Sequence, residues 1–149
     1  MSALQSEMIA VVQRDDWHWR MPVKVRWSDL DPLGHVHHLT YLRWCEDARN
    51  EHAVAIGLPS PGIGEKSQVL VRITCDYVKP ILRDEQGHVY LRVTSVGGSS
   101  LETEFVIITD HVCFKASIVS VMCSDVTGKP VTWNKTERAN LITRPDALN

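Results

Sequence analysis

The stretch Arg26-Trp-Ser-Asp-Leu-Asp-Pro-Leu-Gly-His-Val-His-His-Leu-Thr-Tyr41 decides how the chain is read, because hydrophobic periodicity changes across it. Upstream, Met21 to Trp27 alternates with the period of a strand: Val23, Val25 and Trp27 on one face, Lys24 and Arg26 on the other. Downstream, His38 to Ile56 has helical spacing. Leu39, Leu42, Cys45 and Ala48 recur at three-residue steps, Ala53 and Ile56 prolong the apolar side, and Gly57 followed by Pro59 stops the run. The stretch is therefore a junction where a strand hands over to a helix. Two carboxylates (Asp29, Asp31) and three imidazoles (His35, His37, His38) crowd into it around Pro32 and Gly34. Such groups are costly to bury and add nothing to a core, so they call for partners or a chemical role.

Away from the junction, the N-terminal side is weakly patterned. Ser2 to Val12 has the makings of a short helix, and Arg14 to Arg20 is a polar lead-in. On the C-terminal side, Ser60 to Lys66 is a Gly/Pro loop, and nearly everything after it reads as strand. Gln68 to Lys79, His88 to Val96, Leu101 to Thr109, His111 to Met122 and Val131 to Trp133 are separated by Pro80, Gly97-Gly98 and a Thr127-Gly-Lys-Pro130 turn. Asn134 is placed to cap a last short helix through Leu141. No repeat, low-complexity segment or linker divides the chain. The expectation is one α+β domain over residues 1–149, with a core from about 20 to 133 between N- and C-terminal extensions. Strands joined by short turns pair antiparallel, and one apolar-faced helix packs on the concave face of the sheet. A curled sheet with one helix buries little volume and leaves open edges, which favours a homodimer or larger homo-oligomer.

Chemistry concentrates at Asp31. Pro32 biases Asp31 away from helical backbone, and Gly34 lets the chain turn close to a ligand. The helix beginning near Val36 to Leu39 has unpaired N–H groups in its first turn. A carboxylate facing such donors suits acyl transfer: the amides polarise a carbonyl oxygen, and the carboxylate attacks the carbonyl or takes a proton from water. The bland alternative is a turn carboxylate at a helix start. Asp29 reads as structural, pairing with Arg26 or a neighbouring N–H. His38 has the best claim to hold substrate or water, and His37 could instead face a subunit interface. Adjacent His37 and His38 point apart in regular structure, and no second ligand cluster accompanies them, so no metal site is expected. Tyr41, Arg43 and Trp44 read as core or pocket wall, and Glu46, Asp47 and Arg49 as a solvated or interface face.

Composition narrows the classes. The 149 residues are 44% hydrophobic and 23% charged, with 16 Lys+Arg against 18 Asp+Glu and a net charge of −2. That balance offers no footprint for nucleic acid and no polybasic membrane patch. No apolar run reaches the roughly 18 residues of a membrane span, and Met1 to Gln13 lacks a basic start, so no signal peptide is expected. Four cysteines without CxxC spacing read as reduced thiols of a cytoplasmic protein. There is no GxSxG elbow and no dinucleotide fingerprint, and Gly62-Ile-Gly-Glu-Lys-Ser67 lacks the spacing of a phosphate loop.

The segments Val25-Arg-Trp-Ser-Asp-Leu-Asp-Pro-Leu-Gly-His-Val-His-His38 and Tyr41-Leu-Arg-Trp-Cys-Glu-Asp-Ala-Arg49 resemble the 4-hydroxybenzoyl-CoA thioesterase-like branch of the hotdog-fold superfamily, as does Asp76-Tyr-Val-Lys-Pro80. The resemblance implies a β-sheet around a helical "sausage", assembled as a homodimer or homotetramer. It implies hydrolysis of acyl-CoA thioesters without a cofactor. Asp31 then takes the place of the family's nucleophile or general base, and helix N-terminal amides that of the oxyanion site. The family often carries Asn-Asn after His-Val, where His37-His38 stands here; some relatives have His second, which points to His38 as the accessory residue. A Tyr often stands four residues before the Asp, where Trp27 stands. The expected catalytic residues are Asp31 and His38. The expected substrate-binding residues are Gly34, His35, His37, Tyr41 and Trp27, with the strand from Gln68 to Tyr77 lining the pocket. Two alternatives stay open: a thioesterase acting on acyl-carrier protein, and a non-catalytic hotdog module that binds acyl-CoA.

Overall fold

Period-two burial along β-branched runs builds the larger part of the molecule. The computed structural model describes residues 2–14, 16–59, 62 and 64–143. The loop expected over 60–66 and the C-terminal extension fall partly outside these residues, as does Asp15 of the lead-in. Five strands, β1 (Trp19–Lys24), β2 (Lys66–Tyr77), β3 (Gln86–Val96), β4 (Ser100–Ile108) and β5 (Val112–Ser124), form one sheet in the order β1-β3-β4-β5-β2. Every pairing is antiparallel. In β5, Phe114, Ala116, Ile118, Ser120 and Met122 are buried, alternating with partly exposed residues. β2 is an edge strand and mostly exposed, and a register shift between Leu70 and Arg72 leaves Val71 as the extra residue.

Three helices complete an α+β architecture: α1 (Ala3–Val12), α2 (His38–Ala55) and α3 (Lys135–Ile142). The 18-residue α2 lays Tyr41, Trp44, Cys45 and Ala48 on Val89, Leu91, Phe105, Ile107 and Phe114 of the sheet. It ends where Gly57 adopts φ +74°, which lets the Leu58 N–H reach back to the Ala53 carbonyl at 2.9 Å. On the opposite face of the sheet, Met8 and Val11 of α1 pack against a cluster of Trp17, Tyr90, Val106, Ile108 and Val112. Leu141 of α3 closes a third cluster with Ala53, Leu101, Met122 and Trp133. Its start is fixed by Asn134, whose side chain accepts from the Glu137 N–H at 2.8 Å.

Three expectations about elements require correction. The first strand stops at Lys24, and Trp27 begins a one-turn 3-10 helix, Trp27–Asp29. Val131 to Trp133 is no strand. Pro130 makes an isolated bridge to Cys123, and the ladder ends after the Val131 N–H bond to the Met122 carbonyl. The inward face of α2 is rotated from the one expected: Leu39 is 57% exposed, whereas Thr40, Tyr41, Trp44 and His52 are buried. No helix among the described residues is long and apolar enough to cross a membrane.

Candidate active site

The junction between β1 and α2 is built by its two carboxylates in different ways. Asp29 is 2% exposed. Its carboxylate accepts from the Arg26 N–H at 2.7 Å and from the Arg43 guanidinium at 2.5 Å. Its carbonyl accepts from the His37 N–H at 2.7 Å. Asp29 therefore ties the 3-10 turn to the start of α2 and to its first turns, the structural role expected of it. The ionic partner is Arg43, while Arg26 contributes only its main chain.

Asp31 folds the loop that follows. The Asp31 N–H donates to the His35 carbonyl at 2.8 Å, and the Gly34 N–H to the Asp31 carbonyl at 3.0 Å. This tight turn holds Gly34 at φ +75°, a conformation in which a side chain is strained. One carboxylate oxygen, Oδ1, accepts from the Leu33 N–H at 2.9 Å and the His35 N–H at 3.1 Å. Oδ2 accepts no hydrogen bond from the described residues. The Gly34 and His35 amides are thus used by the turn itself, so these two residues shape the loop and supply no free donor.

At the start of α2, His37 is the N-cap. Its Nδ1 accepts from the Leu39 N–H at 3.2 Å, and its carbonyl accepts from the Thr40 N–H at 2.9 Å. The His38 N–H is left without a bond to any described residue. The His38 carbonyl accepts from the Tyr77 hydroxyl at 2.8 Å, which fastens the end of β2 to this turn. Contrary to the expectation that these neighbours point apart, the His37 and His38 rings stack with centroids 4.4 Å apart, because His37 is the extended cap and only His38 is helical. Tyr41 is 3% exposed and its hydroxyl accepts from the Ile81 N–H at 3.1 Å. Burial raises both the Tyr41 and Tyr77 phenols above their usual range, so both stay neutral.

These elements enclose a pocket of about 360 Å³ lined by Asp31, His35, His38, Tyr41, Tyr77 and Lys79. Four of the expected site residues meet there: Asp31, His35, His38 and Tyr41. Gly34 and His37 support it from behind, through the turn and the cap. Trp27 does not line it. The Asp29 carboxylate draws in the Arg26 N–H and bends the chain out of the sheet, leaving Trp27 79% exposed. Lys79 is a lining residue that periodicity and spacing miss; Asp76-Tyr-Val-Lys-Pro80 stands out in the sequence by resemblance alone. Two larger hollows, of about 620 and 630 Å³, lie beside β1 and lack Asp31 and the His38 amide. No group of three His, Cys, Asp or Glu side chains among the described residues is arranged to hold a metal ion.

The antiparallel five-stranded sheet with its three helices is the mixed α+β architecture that thioesterase-superfamily structures share. The family model "Thioesterase-like superfamily" matches residues 25–141. The chain is 28% identical over 122 residues to the acyl-CoA thioesterase YbgC of Haemophilus influenzae, covering 79% of this chain and 90% of that protein. It superposes on the crystal structure of a thioesterase from Thermus thermophilus complexed with coenzyme A and Zn. There the TM-score is 0.75 at 30% identity, over 85% of this chain and 99% of that one. A thioesterase superfamily structure from a Jannaschia species gives a TM-score of 0.80 at 25% identity, over 93% and 90%. The chain belongs to the thioesterase-like superfamily and is a hotdog-fold thioester hydrolase.

Proposed function

We propose that this enzyme hydrolyses an acyl-CoA thioester at the pocket between Asp31 and the start of α2. The observation that carries the reading is the divided carboxylate of Asp31. Two loop amides fix Oδ1, and Oδ2 is left available in a pocket shared with His38, whose N–H is also uncommitted. The thioester oxygen accepts from that N–H, which stabilises the oxyanion as it forms. The carboxylate removes a proton from water as the water oxygen bonds to the acyl carbon, or bonds to that carbon itself. The carbon–sulfur bond then breaks, and CoA thiolate leaves and takes up a proton; where the carboxylate itself has bonded to the acyl carbon, water then cleaves the resulting Asp31–acyl anhydride, releasing the acid and restoring the carboxylate. The His38 ring, exposed and edge-on to Tyr77, orients water or substrate. His35, Tyr41 and Tyr77 wall the acyl group.

The sheet, on this reading, wraps α2 as the central helix of a single hotdog domain, with CoA at a subunit boundary. The chain works as a homodimer or higher homo-oligomer joined along the open edge of β2. Four free cysteines suit a reducing cytoplasm.

A panel of acyl-CoA esters with free-thiol detection, run on wild type and Asp31→Asn, tests the proposal. Wild type should turn over at least one ester, and Asp31→Asn should lose at least about a hundredfold in kcat. Equal rates in the two proteins would remove Asp31 from its role. Turnover only of acyl-carrier-protein esters would replace the CoA substrate, and binding without turnover would make the chain a non-catalytic module.

A further inference from the structure

His37 caps α2 with an imidazole, and an imidazole can accept a hydrogen bond only while it is neutral. Its Nδ1 accepts from the Leu39 N–H, the second amide of the helix, at 3.2 Å. Its carbonyl accepts from the Thr40 N–H at 2.9 Å, and its own N–H is anchored on the Asp29 carbonyl at 2.7 Å. Among these tied groups the His38 N–H is left free of any bond to a described residue. The cap thus holds the turn that presents this amide. It also holds the His38 ring, which stacks on the His37 ring.

A protonated imidazole has two N–H donors and no acceptor. On His37 it would set a donor against the Leu39 N–H. It would also place a cation at the positive end of the helix, where cations are disfavoured. Nothing in the surroundings offsets this, since His37 takes part in no salt bridge among the described residues. The titratable groups around the ring come from three elements. His38 of α2 is stacked on it. Asp29 of the 3-10 turn has its carboxylate occupied by the Arg26 N–H and Arg43. Tyr77 at the end of β2 gives its hydroxyl to the His38 carbonyl. Asp31, His35 and Lys79 face the pocket that His38 lines, and His37 does not line it.

We propose that His37 is a positioning residue for the hydrolysis. Its neutral ring holds the first turn of α2 so that the His38 N–H is aimed at the thioester oxygen, and a proton on that ring releases the turn. The inference rests on the site reading above and adds a residue that acts through His38. Histidine side chains exchange such a proton between about pH 8 and pH 5, which sets the range of the test.

Two substitutions separate the roles. Asparagine caps a helix and has no proton to gain in this range, whereas phenylalanine keeps a ring to stack on His38 and has no acceptor. For each protein kcat and KM are followed from about pH 8 to pH 5, on the acyl-CoA ester that the panel above identifies. The ratio of kcat at the upper pH to kcat at the lower should be at least about fivefold smaller in His37→Asn than in wild type, with KM moving by less than about twofold. At the upper pH, kcat of His37→Phe should lie at least about tenfold below that of His37→Asn, the loss expected of a misaimed oxyanion donor. A ratio as large in His37→Asn as in wild type would place the titration on His38 or Asp31 and overturn the proposal. Equal kcat values for the Asn and Phe variants would overturn it too.

Amide hydrogen exchange reads the cap without turnover. Protection of the Leu39 N–H, corrected for the intrinsic effect of pH, should fall at least about tenfold across this range in wild type and hold steady in His37→Asn. Constant protection in wild type would also overturn the proposal. Wild type that hydrolyses no ester, or Asp31→Asn with an undiminished rate, would instead remove the reading of the site and leave the exchange result standing, so the two failures are distinguishable.

Discussion

Removing the carboxylate of Asp29 should damage the fold more than removing the arginine that pairs with it. Asp29 is 2% exposed, whereas the Arg43 side chain is 54% exposed. The Asp29–Arg26 contact joins a main-chain N–H to a charged acceptor, a bond worth about 1.5–3 kcal/mol. The Arg43 contact reaches solvent and is screened, so it adds about 1 kcal/mol at most. Asp29→Ala loses both and orphans the Arg26 N–H, for a total of about 3 kcal/mol. For a chain of this size that lowers Tm by roughly 6–12 °C. Arg43→Met loses the weaker contact and leaves the carboxylate held by one donor, for about 1–2 kcal/mol. Differential scanning calorimetry at fixed protein concentration and pH 7 gives the comparison, the fixed concentration being needed because assembly shifts Tm. A fall smaller for Asp29→Ala than for Arg43→Met, or under about 2 °C for Asp29→Ala, would refute the view that Asp29 is the main tie between the turn and α2.

Gly34→Ala places a methyl group where nothing lies within 4 Å, so its cost is the backbone strain of φ +75° alone, about 1 kcal/mol. A small loss in urea stability should accompany a larger loss in kcat, and a change in stability without a change in rate would detach the turn from the chemistry. His52 is 3% exposed, packs 6.1 Å from the His18 ring, and is depressed by burial to about 4. The unfolded chain protonates this residue below about pH 6.5 while the folded chain does not. Stability is therefore full above pH 6.5 and declines toward pH 4, by up to about 3 kcal/mol from this group. His52→Gln should flatten that decline in melts taken between pH 4 and 7, and an unaltered slope would assign it elsewhere.

The succession of strands along the chain and the placement of α2 are readable because Val, Ile and Phe recur at fixed periods and because Gly57 and Asn134 punctuate the chain; the order in the sheet is not, since β2 pairs with β5 and not with the β3 that follows it. Nor is the orientation of α2. Counting aliphatic residues alone puts Leu39 inside, but the sheet takes up the larger rings of Tyr41 and Trp44, and Leu39 is left exposed. Trp27 is misplaced for a related reason. Alternation carries the strand three residues too far, and the hydrogen bond from the Arg26 N–H to the Asp29 side chain has no signature in a period. At the site, Asp31, His35 and His38 are close in sequence and can be grouped on sight. Tyr77 ends β2 and Lys79 follows just beyond it, far from Asp31 in sequence, and only the run of this segment alongside β5 delivers them. The capture of the Gly34 and His35 amides by the Asp31 turn is also hidden, since spacing says where donors are and not which are already spent.

On the proposed reading, the asymmetry of the Asp31 carboxylate makes one side chain both a fold determinant and a reagent, and this limits which substitutions can be informative. Alanine there would release the Leu33 and His35 amides together with the reactive oxygen, so a dead enzyme could be dead for want of a loop. Glutamate would carry the charge one methylene too far for the turn. Asparagine alone keeps an acceptor at Oδ1 for both amides while exchanging the opposite oxygen for a neutral NH₂. The same logic bears on the lineage: a descendant that gave up hydrolysis but kept this loop would be expected to carry Asn at this position before any other residue.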